Sequence, residues 1–231
     1  MQAHEPRGLR EIDDELWVAE DGLRYVVEMG RRMTVIRLPS GELFVHSPMP
    51  LDDELRVQLA ELGAVRFVLP ASNLHGHLRM GDYRVAYPDA QLFAVAGLAD
   101  KRSDLDFDGE LPDDADPGWS DVLEWEVLRG VPKITEVVFF HRPTRTLVVG
   151  DTCFNISPDA PLATRVWAWG PRMRRRAGPP PLFRAAVRDK SAARDSVNQI
   201  LEWDFDRVIV GHGEIIEADG HEAFRSAWSW L

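Results

Sequence analysis

The sequence predicts an α/β protein: strands and helices alternate through roughly its first hundred residues, and a second, strand-rich region follows. Three observations carry this expectation. Runs of β-branched and aromatic residues alternate with a stretch of helical apolar spacing in the first half. "VLEWEVL", "TEVVFFHRP" and "TRTLVVGDT" then follow one another closely, which reads as a second, antiparallel sheet region. A long amphipathic stretch finally leads into the apolar run "DRVIVGHGEII".

Taken in order, "LWVAE" (16–20), "MTVIRLP" (33–39) and "ELFVHSP" (42–48) read as strands, the latter two joined by the turn signal "SG". "PLDDELRVQLAELG" (50–63) has acids in its first turn, apolar residues at helical spacing and a terminal glycine, so it reads as a helix feeding the strand "VRFVLP". "RMGDYRVAYPDA" suggests a short helix closed by Pro88, and "QLFAVA" another strand. Residues 103–118 are rich in Asp and read as a solvated acidic loop, without the fixed Asp spacing of a calcium site. "RPTR" turns between the second and third strands of the later group. Residues 158–182 are rich in Pro and Trp, 182–203 reads as one long helix, and "HEAFRSAWSWL" as a closing helix. The whole is expected to be one domain over residues 1–231, with its core at about 16–216 and a C-terminal helix at 221–231.

With 27 basic against 38 acidic side chains the net charge is −11, which argues against nucleic acid or an anionic membrane as partner and leaves a small-molecule substrate or ligand. The single cysteine, Cys153, excludes an internal disulfide and a Cys-rich zinc site, and points to a reducing cytoplasm. The first thirty residues lack the apolar core of a signal peptide, and no window approaches the ~20 apolar residues of a membrane span.

The functional signal lies in three strand ends. "RFVLPASNLHGH", "TLVVGDT" and "RVIVGHGE" each run from an apolar strand into a loop that presents Asn/His, Asp or His. Strand ends in α/β proteins are where rigid backbone positions loop side chains around ligands. Neutral imidazoles suit zinc, iron or manganese, and an ionised Asp151 supplies charge to offset a divalent cation. His212, between two glycines, can approach such an ion without crowding.

This order of strand, His-containing loop, "GDT" and "VIVGHG" resembles the metallo-β-lactamase superfamily over residues 16–216. "MTVIRLPSGELFVHSP", "SNLHGHLRMGDY", "YPDAQLFA" and "RTLVVGDTCFN" resemble a branch of uncharacterised function with a degenerate metal motif. The resemblance implies an αββα sandwich, two packed mixed sheets flanked by helices, with the site at one edge. Active members carry His-x-His-x-Asp-His in the first loop. Aligned histidine on histidine, this chain has His75 and His77, with Arg79 and Met80 in place of the Asp and the last His. Aligned backward from "YPDA", the motif's two first histidines fall on Ala71 and Asn73, its Asp on His75 and its last His on Gly76. Pro132 and Glu136 stand where the family's middle histidine belongs, while Asp151 and His212 carry over in either alignment.

The expected metal ligands are therefore Asn73, His75, His77, Asp151 and His212, with Asp151 and His212 also as catalytic groups. They would hold at most one tightly bound zinc, iron or manganese ion in a metal-dependent hydrolase with an incomplete site. The alternative is a non-catalytic small-molecule-binding or regulatory protein that keeps the fold. Iron redox chemistry of the kind some members perform needs carboxylates in the first loop, and none lies between Ala71 and Gly81. His4, His46, His141 and His221 are set aside as packed or surface histidines, and Cys153 as a core residue. "PRMRRR", four arginines in five positions, is a solvated loop or a patch that neutralises an anionic substrate. Most of the eight tryptophans are expected to pack helices on sheets rather than line a cleft.

Overall fold

Alternate strand residues face opposite sides of a sheet, so a strand apolar at every position must be covered on both faces. The computed structural model describes residues 7–22, 30–111, 118–169 and 177–231. The first part contains β1 (Arg7–Asp13), β2 (Leu16–Asp21), β3 (Arg31–Arg37), β4 (Leu43–His46), α1 (Asp53–Leu62), β5 (Val65–Leu69), α2 (Met80–Ala86), β6 (Gln91–Val95), α3 (Leu98–Lys101) and β7 (Gly109–Leu111). There follow β8 (Leu123–Val127), β9 (Val137–His141), β10 (Thr146–Val148), β11 (Phe154–Asn155), α4 (Leu162–Trp169), α5 (Pro181–Ala186), α6 (Lys190–Ile200), β12 (Arg207–Ile209), β13 (His212–Gly213) and α7 (Gly220–Trp228).

β1 to β7 form one sheet in sequence order, antiparallel as far as β4 and parallel from there to β7. The second sheet has the order β12-β10-β9-β8, with β10 and β12 parallel. Its fully buried strands show why two faces are needed. Val137 and Phe139 of β9, Val148 of β10 and Ile209 of β12 pack into a core shared with the first sheet. Their neighbours Val138, Phe140, Leu147 and Val208 pack on Phe183, Val197, Ile200, Phe224 and Trp228 from α5, α6 and α7. Leu55, Leu59, Met80, Tyr83 and Leu98 bring α1, α2 and α3 into the first core, giving helices, sheet, sheet and helices in layers.

Several elements differ from the sequence reading. Residues 182–203 are not one helix: α5 ends at Ala186, and Asp189 starts α6 by accepting from the N–H groups of Ser191 and Ala192. The carbonyl of Gly130 takes the amides of Arg188 and Asp189 and pins the break. β7 lies inside the acidic stretch, where pairing with β6 makes strand of residues whose composition reads as loop. β1 and α4 were not foreseen. His4 and "PRMRRR" lie outside the described residues. No helix among the described residues is long and apolar enough to cross a membrane.

The topology places the site. Because β10 and β12 run parallel, with Val148 beside Ile209, both chains leave the sheet at the same edge, one into Gly150–Asp151 and the other into Gly211–His212. β11 and β13 prolong this adjacency by pairing Phe154 with His212. The loop after β5 is sewn to the same edge where Val137 N donates to Ala71 O and Ser72 bridges Glu136.

Candidate metal centre

The loop after β5 is a tight turn built on Ser72. Its hydroxyl accepts the amides of Leu74 (3.1 Å) and His75 (2.9 Å), and its own N–H donates to the carbonyl of His75. Gly76 follows at φ +79°, and a Cβ there would stand 2.8 Å from the Cα of Ser47, so the turn requires glycine. Gly211 meets a second close approach: a Cβ would lie 2.8 Å from Cε1 of His75. Two glycine positions thus let the first-sheet loop and the β12 loop touch.

At that contact His75, Asp151 and His212 converge, each offering one ligand atom, all within 4.8 Å of one another. One carboxylate oxygen, Oδ1 of Asp151, lies 3.3 Å from Nδ1 of His75 and 3.2 Å from Nε2 of His212. The imidazoles stack with centroids 4.6 Å apart and planes 16° off parallel. Nδ1 of His212 lies 2.6 Å from the carbonyl oxygen of Gly30, an acceptor, so that nitrogen carries a proton and donates it. In neutral His212 the other nitrogen, Nε2, is then a lone pair aimed at a carboxylate oxygen. A positive species between them, a proton or a metal ion, relieves that repulsion.

Asp151 is fixed from behind by Glu136, a fully buried carboxylate. Its Oε1 accepts from Gly150 N (2.8 Å), Thr152 N (3.1 Å) and Thr152 Oγ1 (2.7 Å), and its Oε2 from Asp151 N (2.8 Å). Burial and the charge of Asp151 push Glu136 up to about 7, against the pull of those hydrogen bonds. Burial would raise Asp151 as well, but His75 and His212 outweigh it and hold that carboxyl below the usual range.

Arg32 holds the third ligand loop. Its buried guanidinium donates to the carbonyls of Val210 and Gly213, which flank His212, and to Oε1 of Glu20. Phe154 packs on the His212 ring at 4.6 Å and is itself stacked by Trp167 of α4, so one tryptophan stands a single ring from the site. Trp119, by contrast, is core, edge-on to Phe44, Phe67 and Phe93.

Asn73 and His77, expected among the ligands, do not join this group. Asn73 spends both ends of its amide on the neighbouring segment, donating to Lys133 O (3.4 Å) and accepting from Thr135 N (3.1 Å). The turn at Gly76 carries His77 into a buried position where Lys101 Nζ lies 3.3 Å from its Nε2. Burial, then Lys101 and Arg102, push His77 down to about 4. Arg102 also donates to its carbonyl. His75 alone of the two loop histidines faces Asp151. Cys153 is packed in the second core. Glu136, noted in the sequence only as standing where the family's middle histidine belongs, and Arg32 were not expected to support the site. The signal each offers is a charged residue at the edge of, or within, an apolar strand: Glu136 before "VVFF" and Arg32 before "MTVI".

Solved structures share this architecture at low identity. The DIM-1 metallo-β-lactamase exposed to ceftazidime superposes with a TM-score of 0.68 at 14% identity, covering 100% of this chain and 99% of that one. A metallo-β-lactamase from Pontibacter korlensis gives 0.66 at 12% identity, over 98% of this chain and 100% of that one. A putative diflavin flavoprotein fragment from Nostoc sp. PCC 7120 gives 0.66 at 13% identity, over 99% and 95%. At such identity the likeness establishes the metallo-β-lactamase fold alone. No curated protein matches the chain. A domain of unknown function, DUF4336, matches residues 13–179. That match spans most of the chain, including Asn73, His75, His77, Glu136 and Asp151, and the protein belongs to the DUF4336 family.

Proposed function

We propose that His75, Asp151 and His212 hold one divalent cation and that the protein is a metal-dependent hydrolase. The observation that carries this reading is the convergence of the three side chains: with Nδ1–H of His212 given to Gly30, Nε2 of His212 and Nδ1 of His75 both face Oδ1 of Asp151, at 3.2 and 3.3 Å. Nε2 of His75 is buried without a hydrogen-bond partner. Two imidazole nitrogens and a carboxylate oxygen form a donor set suited to zinc and also acceptable to iron or manganese. Bound there, a divalent ion would supply Lewis acidity toward an ester, thioester, amide or phosphoester and lower the pKa of water toward about 7.

The remaining work falls to the chain. Gly30 fixes the His212 tautomer, Glu136 holds the turn that presents Asp151, and Arg32 holds the loop that presents His212. Glu136 is fully buried and already accepts from four donors of the turn, so it is not open to substrate. Asp151, with its side chain 21% exposed, and His75, at 11%, are the ligand groups most open to solvent. The test is elemental analysis of protein purified without added metal, together with a panel of ester, thioester, amide and phosphoester substrates. The reading predicts near-stoichiometric zinc, iron or manganese and hydrolysis of at least one class, both lost in Asp151→Asn. Metal-free protein that cannot be loaded, yet melts cooperatively, would support the small-molecule-binding alternative instead.

A further inference from the structure

Against His75 lies a narrow cavity lined also by Arg32, Thr34, His46, Ser47 and Gly211, among others. His46 ends β4, a strand otherwise apolar, and is 2% exposed. Its Nε2 is buried without a hydrogen-bond partner, and so is Nε2 of His75 in the same cavity. An unpaired buried polar atom is destabilising, and Phe139, edge-on to the His46 ring at 5.5 Å, would pack as well against an apolar side chain. Two such atoms lining one cavity are complementary if one carries a proton and the other a lone pair.

A metal-bound histidine nearly always gives its other ring N–H to an acceptor that fixes its tautomer. For His212 that acceptor is Gly30 O. His75 turns Nδ1 to Asp151, so its Nε2 must carry the proton whenever Nδ1 is a ligand. We propose that His46 is the positioning residue for His75 in the cation-bound protein, where it accepts the Nε2–H of His75 across this cavity and so sets the orientation in which Nδ1 faces the cation. The inference rests on the proposed cation site. It differs from the usual arrangement, in which a carboxylate or backbone carbonyl fills this role, by using a second, buried imidazole.

The experiment titrates zinc into metal-free parent, His46→Phe and His46→Gln. His46→Phe keeps the packing and removes the acceptor, whereas His46→Gln keeps an acceptor. The expected result is affinity about 10- to 100-fold weaker in His46→Phe, with substantial recovery in His46→Gln. Histidine-selective 15N NMR of the zinc-loaded parent should also show a His75 Nε2–H proton shifted downfield by hydrogen bonding. Parent-like affinity in His46→Phe, or the absence of that proton in loaded parent, overturns the inference while leaving the cation site standing. Failure of the parent to bind zinc overturns both. If His46→Phe does not fold, the spectrum of the zinc-loaded parent still decides.

Discussion

Replacing Glu136 with alanine at pH 8, above its pKa of about 7, removes the acceptor of three consecutive backbone amides and one hydroxyl. The Thr152 hydroxyl can turn elsewhere, but Gly150, Asp151 and Thr152 N–H cannot. Each orphaned donor costs about 1–3 kcal/mol, so three give roughly 3–9 kcal/mol before relaxation. Water entering the vacated space and relief of repulsion with Asp151 offset part of this, leaving an expected loss of about 3–5 kcal/mol. Glu136→Gln should be milder, about 1–3 kcal/mol: the amide oxygen can replace Oε1, while its NH2 group meets the N–H of Asp151, donor against donor. Urea unfolding at constant m-value measures both losses, and amide exchange should rise first at residues 150–152. An alanine variant within about 0.5 kcal/mol of the parent would refute the claim that this carboxylate holds the Asp151 turn.

Arg32→Met should cost about 3 kcal/mol, because the carbonyls of Val210 and Gly213 and the carboxylate of Glu20 lose a buried donor. Urea unfolding checks it, and a loss under 1 kcal/mol would contradict the reasoning. The stability of the fold should also fall in acid through His141, buried beside Asp13 and Glu15 and pushed down by burial to about 4. Above about pH 6.5 both states leave it neutral; between 6.5 and about 4 only the unfolded chain takes the proton, so stability drops by about 3 kcal/mol and then levels. Comparing urea unfolding at pH 7.5 and 5 in the parent and His141→Gln isolates that slope, and equal slopes would contradict it.

Much of the fold was legible because its strands are long apolar runs whose pattern survives any context. β7 was not, since "GEL" gains strand geometry only from its partner β6, and β1 was hidden by alternating charges on an edge strand. The break between α5 and α6 escaped because an amphipathic pattern runs across it, while the carbonyl of Gly130, distant in sequence, decides it. At the site, Asp151 and His212 stand out because they follow two apolar strands. Which of His75 and His77 faces them depends on the backbone at Gly76 and on the fit against Ser47, facts of tertiary packing that residue spacing does not encode. Glu136 was hidden for a similar reason: its donors come from a turn fourteen to sixteen residues away.

Among the described residues, His75, Asp151 and His212 are the three side chains proposed to form one cation site. The decisive measurement is calorimetric titration of metal-free protein with zinc, run on the parent, Asp151→Asn, His212→Ala, His77→Ala and Asn73→Ala. One ion per chain is expected in the parent, with severe weakening in Asp151→Asn and His212→Ala and binding retained in His77→Ala and Asn73→Ala. No saturable binding in the parent, a second tight ion, or abolition of binding by His77→Ala would contradict it.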